Sequence, residues 1–225
     1  MVRTFLPLLI FILSLSLTQT TVLAADKADA EALVDKAAIV VDSFAADPDL
    51  EWFRGKVKEA KAVLIIPQSI KGAFFIGGSG GSGVLVSHGG ETAEWGYPAF
   101  YTIGSISIGM QFGGEASEVI LLVMTERGME KLLTSSLKLG ADITLAAGPV
   151  GGGAAAQTAD VLSYSRSKGA FAGISLDGAV VKTKDKFNEA YYGNPVSPTD
   201  ILIRKNVTNA HADGLRRAIA DVTSK

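Results

Sequence analysis

The chain has no cysteine, and only two histidines, among its 225 residues. The first absence excludes disulfide staples, thiolate nucleophiles, Cys-ligated zinc, iron–sulfur clusters and a lipid-modified N-terminal cysteine. The second, with no His-x-x-x-His spacing, leaves no basis for a zinc site, so neither metal nor cofactor is expected. Excess charge of one sign is also missing. The 21 Lys and Arg face 23 Asp and Glu, a net charge of −2, which gives no reason to expect nucleic-acid binding. What the chain does have is apolar residues, 48% of the total, and 25 glycines with no three-residue period. That composition suits a globular domain with a real core. It excludes collagen and an unfolded chain, and it implies many tight turns or close backbone approaches.

Met1-Val2-Arg3 carries one positive charge, and Phe5 to Leu17 is an almost unbroken apolar run. Val22-Leu23-Ala24 then puts small residues ahead of a cut between Ala24 and Ala25. The pattern predicts a secretory signal peptide over residues 1–24, since the apolar run is shorter than the ~20 residues of a membrane span. Its removal leaves 20 Lys and Arg against 23 Asp and Glu, net −3. Exported by a bacterium, the mature chain would be periplasmic or secreted. At about 200 residues it has the size of one domain.

Ala30, Leu33, Val34, Ala37, Ala38, Val41 and Phe44 recur at helical spacing and predict an amphipathic helix. Asp47-Pro48 caps a second helix through about Ala62, with Leu50, Phe53, Val57 and Ala60 on its apolar side. Arg54, Lys58 and Lys61 share its polar face, with Lys56 nearby. Residues 25–62 are thus read as N-terminal helices. Val63–Ile66, Ala73–Ile76 and Val84–Val86 read as strands, with the glycine-rich residues 77–83 as a turn. Ser105 to Phe112 alternates strictly and must be a half-buried strand, whereas the continuously apolar Val119 to Met124 reads as a central one.

A helix over Glu126 to Leu139 with Gly140 as cap follows, then a strand over Asp142 to Ala147. Strands over Val161 to Ser167 and Phe171 to Leu176 precede an Asp177-Gly178 hairpin. This second half reads as antiparallel. A short helix from Lys186 to Tyr192 stops at Gly193; Ser197 to Asp200 looks like a capped helix start, and a terminal helix spans Val207 to Val222, interrupted by Gly214. The sum is an α+β fold: an N-terminal helical pair, a twisted antiparallel sheet or partial barrel, and peripheral helices.

Gly78 to Gly83 fits the G-x-G-x-x-G dinucleotide fingerprint, but a strand follows where a helix N-terminus should hold the pyrophosphate. Gly77 to Gly81 matches G-x-S-x-G with Ser79 as nucleophile. It lacks the strand-to-helix turn, and His88 and His211 are poorly placed as partners. Glu91 and Glu94 read as an exposed loop pair. No enzyme is therefore expected.

Two groups remain. The aromatics Trp95, Tyr97, Phe100 and Tyr101 around Pro98 form either an interfacial platform or a core corner. The basic residues Arg54, Lys56, Lys58, Lys61 and Lys71 form either a contact for anionic lipid head groups or a solvated face. A second basic cluster is Arg204, Lys205, Arg216 and Arg217.

Several ordered motifs lie between about Ala60 and Gly193. They are Ile66-Pro67 with Lys71-Gly72, Phe75-Ile76-Gly77-Gly78 leading to Gly83-Val84-Leu85, Trp95-x-x-Pro98-Ala99-Phe100, and Gly109-x-Gln111-x-Gly113. Leu139 to Asp142, Ala147 to Gly151, Tyr164 to Leu176, and Asn188 with Tyr191-Tyr192-Gly193 complete the set. With these the chain resembles the SYLF domain family, also described as lipid-binding or actin-binding domains. The resemblance implies a core domain over 60–193, a C-terminal helical extension over 194–225, and a non-enzymatic module that binds membranes.

Eukaryotic relatives are expected to recognise phosphoinositides and to bundle actin. An exported bacterial chain would instead meet anionic phospholipids or an envelope protein, with actin binding not expected. The family's lipid contact is attributed to an amphipathic N-terminal helix and basic residues, a part that Arg54, Lys56, Lys58, Lys61 and Lys71 would play here. The acid-rich first helix, with Asp29, Glu31, Asp35 and Asp42, and Gly96 after Trp95 depart from the family pattern. The alternative is a periplasmic stress or assembly factor that binds another protein and no lipid.

Overall fold

The computed structural model describes residues 6–73, 76–89, 94–108, 113–148, 154–167 and 176–224. Helix α1 runs over Leu6–Ala45 and buries the predicted stripe, with Ala30, Val34, Ala37, Val41 and Phe44 each at most 2% exposed. Among the described residues no helix is long and apolar enough to cross a membrane. Asp47 accepts a hydrogen bond from the Asp49 amide at 3.0 Å and opens a 3-10 turn at Pro48–Leu50, which leads into α2 (Glu51–Glu59).

Strands β1 (Ala62–Ala73), β2 (Ile76–Ser87), β3 (Ala99–Ile108) and β4 (Gly113–Val123) form the centre of one sheet. After β4 come α3 (Glu126–Leu132), β5 (Ser136–Lys138), β6 (Leu145–Ala147), α4 (Ala154–Thr158), β7 (Val161–Ser167), β8 (Val180–Thr183) and α5 (Asp185–Tyr192). A π-helical turn at Asp200–Arg204, a 3-10 turn at Ala210–Ala212 and α6 (Asp213–Ser224) complete the chain. The eight strands lie in the order β5-β8-β3-β2-β1-β4-β7-β6 and curl into a half-barrel, the predicted α+β class. Alternation sends Val63, Ile65, Val84, Val86, Ile120 and Leu122 to one face, under α1, α2, α5 and α6. It sends Leu64, Ile66, Leu85, Leu121 and Val123 to the other, against α3, β5 and the π-turn. Both faces are covered there, which is why Val119 to Met124 is continuously apolar.

Four expectations are corrected. Residues 77–83 are not a turn but part of β2, paired along β1 and β3. The predicted helix over Glu126 to Leu139 ends at Leu132; Leu137 is buried as expected, but on β5. The second half is not wholly antiparallel, since β6 pairs with β7 in parallel. The terminal helix starts at Asp213, so Gly214 lies in its first turn rather than interrupting it. The strand expected over Phe171 to Leu176 lies, apart from Leu176, outside the described residues.

The glycines of β2 have a specific cause. β1 slips register against β2 between Ile65 and Gln68, and against β4 between Ile66 and Ser69, so an extra residue bulges from it. A Cβ on Gly83 would lie 2.5 Å from the Ile65 carbonyl oxygen and 2.8 Å from Ile66 Cγ1, and one on Gly81 would overlap the Gln68 carbonyl. The bulge therefore requires glycine opposite it.

Candidate functional site: a lysine pocket at the end of the sheet

The structure divides the five basic residues singled out above. The Arg54 guanidinium is turned inward and donates to the carbonyls of Ala45 at 3.3 Å and Asp47 at 2.8 Å, closing the end of α1. Lys56 pairs with Glu59 at 2.5 Å and lies over the Trp52 ring. Lys71 belongs to β1, opposite Ser79 and Glu115; its side chain lies outside the described residues. Lys58 is exposed, and Lys61, past the end of α2, pairs with Glu126 at 2.8 Å.

Lys58 and Lys61 are brought together with a residue of the second basic cluster. They line a pocket of about 360 Å³ with Lys205, His88, Glu126 and Ile203, at the end where β1 begins and β2 finishes. The turn that delivers Lys205 is built by Asp200. Its carboxylate accepts from Ser197 Oγ at 2.6 Å, from the Ser197 amide at 3.1 Å and from Arg204 Nη1 at 2.8 Å. The Ser197 hydroxyl, with Arg204 adding to it, pulls the Asp200 carboxyl down to about 2. Lys205 then adopts φ 53°, the one left-handed non-glycine residue among those described, and Ile203 is left 51% exposed. A π-turn and a left-handed lysine are both unfavourable locally and concentrate at functional positions.

The aromatics behave as a core corner. Trp95 and Phe100 are 2% and 0% exposed, with Phe100 edge-on to Phe187 and Tyr191. Tyr97 is half-buried under the Arg216 guanidinium, 4.5 Å from its ring centre, while Arg216 Nε donates to the Trp95 carbonyl at 2.7 Å. Arg216 and Arg217 thus bond within their own region, Arg217 to the Asp213 carbonyl. Ser79 sits inside β2 and its hydroxyl pairs with that of Ser105 at 2.7 Å, so there is no strand-to-helix elbow at the G-x-S-x-G match.

One polar centre has no counterpart in the sequence reading. Asp160, 5% exposed, accepts from Thr125 Oγ1 at 2.6 Å and from the amide and hydroxyl of Thr144, each at 2.9 Å, beside Arg127. Burial opposes its ionised form, but these hydrogen bonds and the guanidinium outweigh it and hold the carboxyl below the usual range. It ties the ends of β4 and β7 to the segment before β6 and is satisfied by its own neighbours.

Among the described residues no group of three or more His, Asp or Glu side chains could hold a metal ion. The family model described as Ysc84, Las17-binding protein actin regulator, matches residues 104–222, and the chain belongs to this family, the SYLF domains. The human SH3 domain-containing YSC84-like protein 1 is 29% identical over 175 residues, covering 75% of this chain and 51% of the relative. Protein YSC84 of Saccharomyces cerevisiae is 29% identical over 171 residues, 72% of this chain and 36% of the relative. LAS seventeen-binding protein 3 of the same species is 29% identical over 154 residues, 65% and 33%. The chain therefore spans about half or less of the length of these relatives. The name of the human relative describes an SH3 domain-containing protein and that of the third a LAS seventeen-binding protein, and none of the three describes an enzyme.

Proposed function

We propose that this chain is a non-enzymatic module that associates peripherally with anionic membrane surfaces through the lysine pocket. The observation that carries the reading is the convergence of Lys58, Lys61 and Lys205 around one pocket beside the exposed Ile203. Cations near an anionic surface contribute about 1 kcal/mol each, and an apolar side chain among them can enter the interface. With the leader read as a signal peptide, the surface it meets belongs to the cell envelope and carries lipids such as phosphatidylglycerol or cardiolipin. Arg54, bonded to the carbonyls that end α1, is support rather than contact, whereas Lys56 and Lys61 each pair with a carboxylate, Glu59 and Glu126 respectively, that also lines the pocket.

Co-sedimentation of residues 25–225 with anionic and zwitterionic vesicles, at low and high salt, tests this. Binding to anionic vesicles alone, weakened by salt, is expected. Lys58→Glu/Lys61→Glu/Lys205→Glu should reduce it by about 3 kcal/mol, on the order of a hundredfold. A Lys138→Glu/Lys182→Glu control, altered elsewhere, should bind as the parent does. Equal binding by both variants would reject the site. Absence of binding to any vesicle would favour the protein-binding alternative.

A further inference from the structure

Among the described residues the helical layer over the sheet is complete on one side of α1 only. α1 crosses the strands. Midway along it Asp26 and Asp29 act on Lys184, which donates to Ser82 of β2, and near its C-terminal end Ser43 accepts from Arg166 of β7. One flank packs against α5 and α6. The opposite flank presents Lys36, Ile39 and Ser43, and with Gln68, Ala116 and Glu118 of the sheet it bounds a groove of about 610 Å³.

The floor beside this groove is almost free of side chains. Strand register aligns Ala116, Ile70, Gly80 and Gly104 in one row across β4, β1, β2 and β3. By alternation from Ile120, Val84 and Phe100, the row lies on the face that α1 covers further along the strands. A Cβ on Gly80 or Gly104 would meet only a neighbouring carbonyl oxygen, at 3.4 and 3.7 Å. Gly104 also lines a cavity of about 660 Å³ with Lys138, Val180 and Lys182, at the β8 side of the row. Ile39 on α1 borders the trough and Ile70 rises from the row itself, at 66% and 56% exposure, and they are two of the three large apolar side chains exposed among the described residues. Arg166 is held by Glu118 and Ser43, whereas Lys36 has no ion-pair partner among the described residues.

We infer that this trough docks an amphipathic helix of a partner protein, laid alongside α1 as one more member of the helical layer. The docking surface is continuous with the interface that α1 already makes on the same sheet face. Glycine in the floor permits close approach of the incoming helix, and Ile39 and Ile70 take up its apolar stripe at i, i+3 or i+4, and i+7. Lys36 on the wall, with no ion-pair partner among the described residues, selects an acidic residue on its flank. Four strands at ~4.8 Å spacing give a row roughly 14 Å long, enough for about ten residues of helix. The inference is independent of the lipid reading, since none of the groove residues belongs to the lysine pocket.

A displayed library of helices about sixteen residues long, panned on residues 25–225, tests it, with selected peptides titrated by fluorescence anisotropy. Enriched peptides should carry an apolar stripe flanked by Asp or Glu. Gly104→Phe fills the trough and should weaken their binding at least about tenfold while the thermal transition stays cooperative. Ile70→Glu, at a position 56% exposed, should do the same with the thermal transition again cooperative, and Lys36→Glu should shift preference toward peptides bearing Lys. Vesicle binding should be unchanged by all three. Enrichment of no peptide sensitive to Gly104→Phe and Ile70→Glu would overturn the inference. So would anionic vesicles, or self-association seen by sedimentation, that depend on Ile39 and Ile70 in place of a peptide.

Discussion

The four central strands are built in two different ways along their own length. From Ala62 to Ile66, and across the matching parts of β2 and β4, every residue is buried and side chains fill both faces. Beyond the bulge at Ile65 to Gln68 the face of these strands that α1 covers continues as Ile70, Gly78, Gly80, Gly104 and Ala116, partly or fully exposed and mostly without side-chain volume, while Ser69, Ile103 and Ser117 on the other face stay buried. Backbone pairing is equally regular in both halves. Hydrogen bonding therefore sets the length of the sheet, while side-chain volume sets how much of it can be covered. The bulge, with glycines 81 and 83 opposite it, marks the border.

Substitutions on either side of that border should differ accordingly. Phe100→Ala removes a fully buried ring stacked edge-on with two others, and should destabilise by about 3–5 kcal/mol in urea unfolding. A small loss there would mean that the covered half is loosely packed.

Asp160→Asn strikes the polar lock at the covered end and should cost about 1.5–3 kcal/mol near neutral pH. Because the folded carboxyl titrates below its unfolded value, its contribution is present above about pH 4 and is lost as pH falls through the lower folded value. Urea midpoints measured from neutral to acid pH should fall less steeply in the variant than in the parent.

Gly83→Ala, at the border, forces a Cβ against the Ile65 carbonyl and should cost about 1–3 kcal/mol. Gly104→Ala, in the uncovered half, meets nothing closer than 3.7 Å and should be neutral or stabilise by up to about 1 kcal/mol. If the two alanines cost the same, the distinction between the halves is wrong.

Legibility of the sequence followed the same division. β7 over Val161–Ser167 and α5 ending at the left-handed Gly193 appear where periodicity and capping place them, because short-range pattern decides them. The glycine run of β2 read as a turn because the demand for glycine comes from the bulge in β1, which no local pattern in β2 reports. The helix after Glu126 ends early because Leu137 is buried as a strand residue beside β8, a tertiary pairing that overrides helical spacing. At the site, Lys58 and Lys61 were legible as a pair. Lys205 was visible only as part of a separate cluster, since the Asp200 turn that carries it across depends on contacts made in three dimensions. Arg54 misled because a cation at helical spacing looks the same whether it faces solvent or closes the end of a preceding helix.

The strand order has a consequence for how the chain reaches this structure. β3 and β4 follow one another in sequence yet flank β2 and β1, so they cannot zip together as neighbours. The β1–β2 hairpin is the local pairing of the central four, and it is the template on which β3 adds at one edge and β4 at the other, each by closing a longer stretch of chain. The glycine-rich ribbon of β2 thus lies within the pairing that closes the shortest loop in the sheet, so its backbone entropy is part of the cost of that first local step.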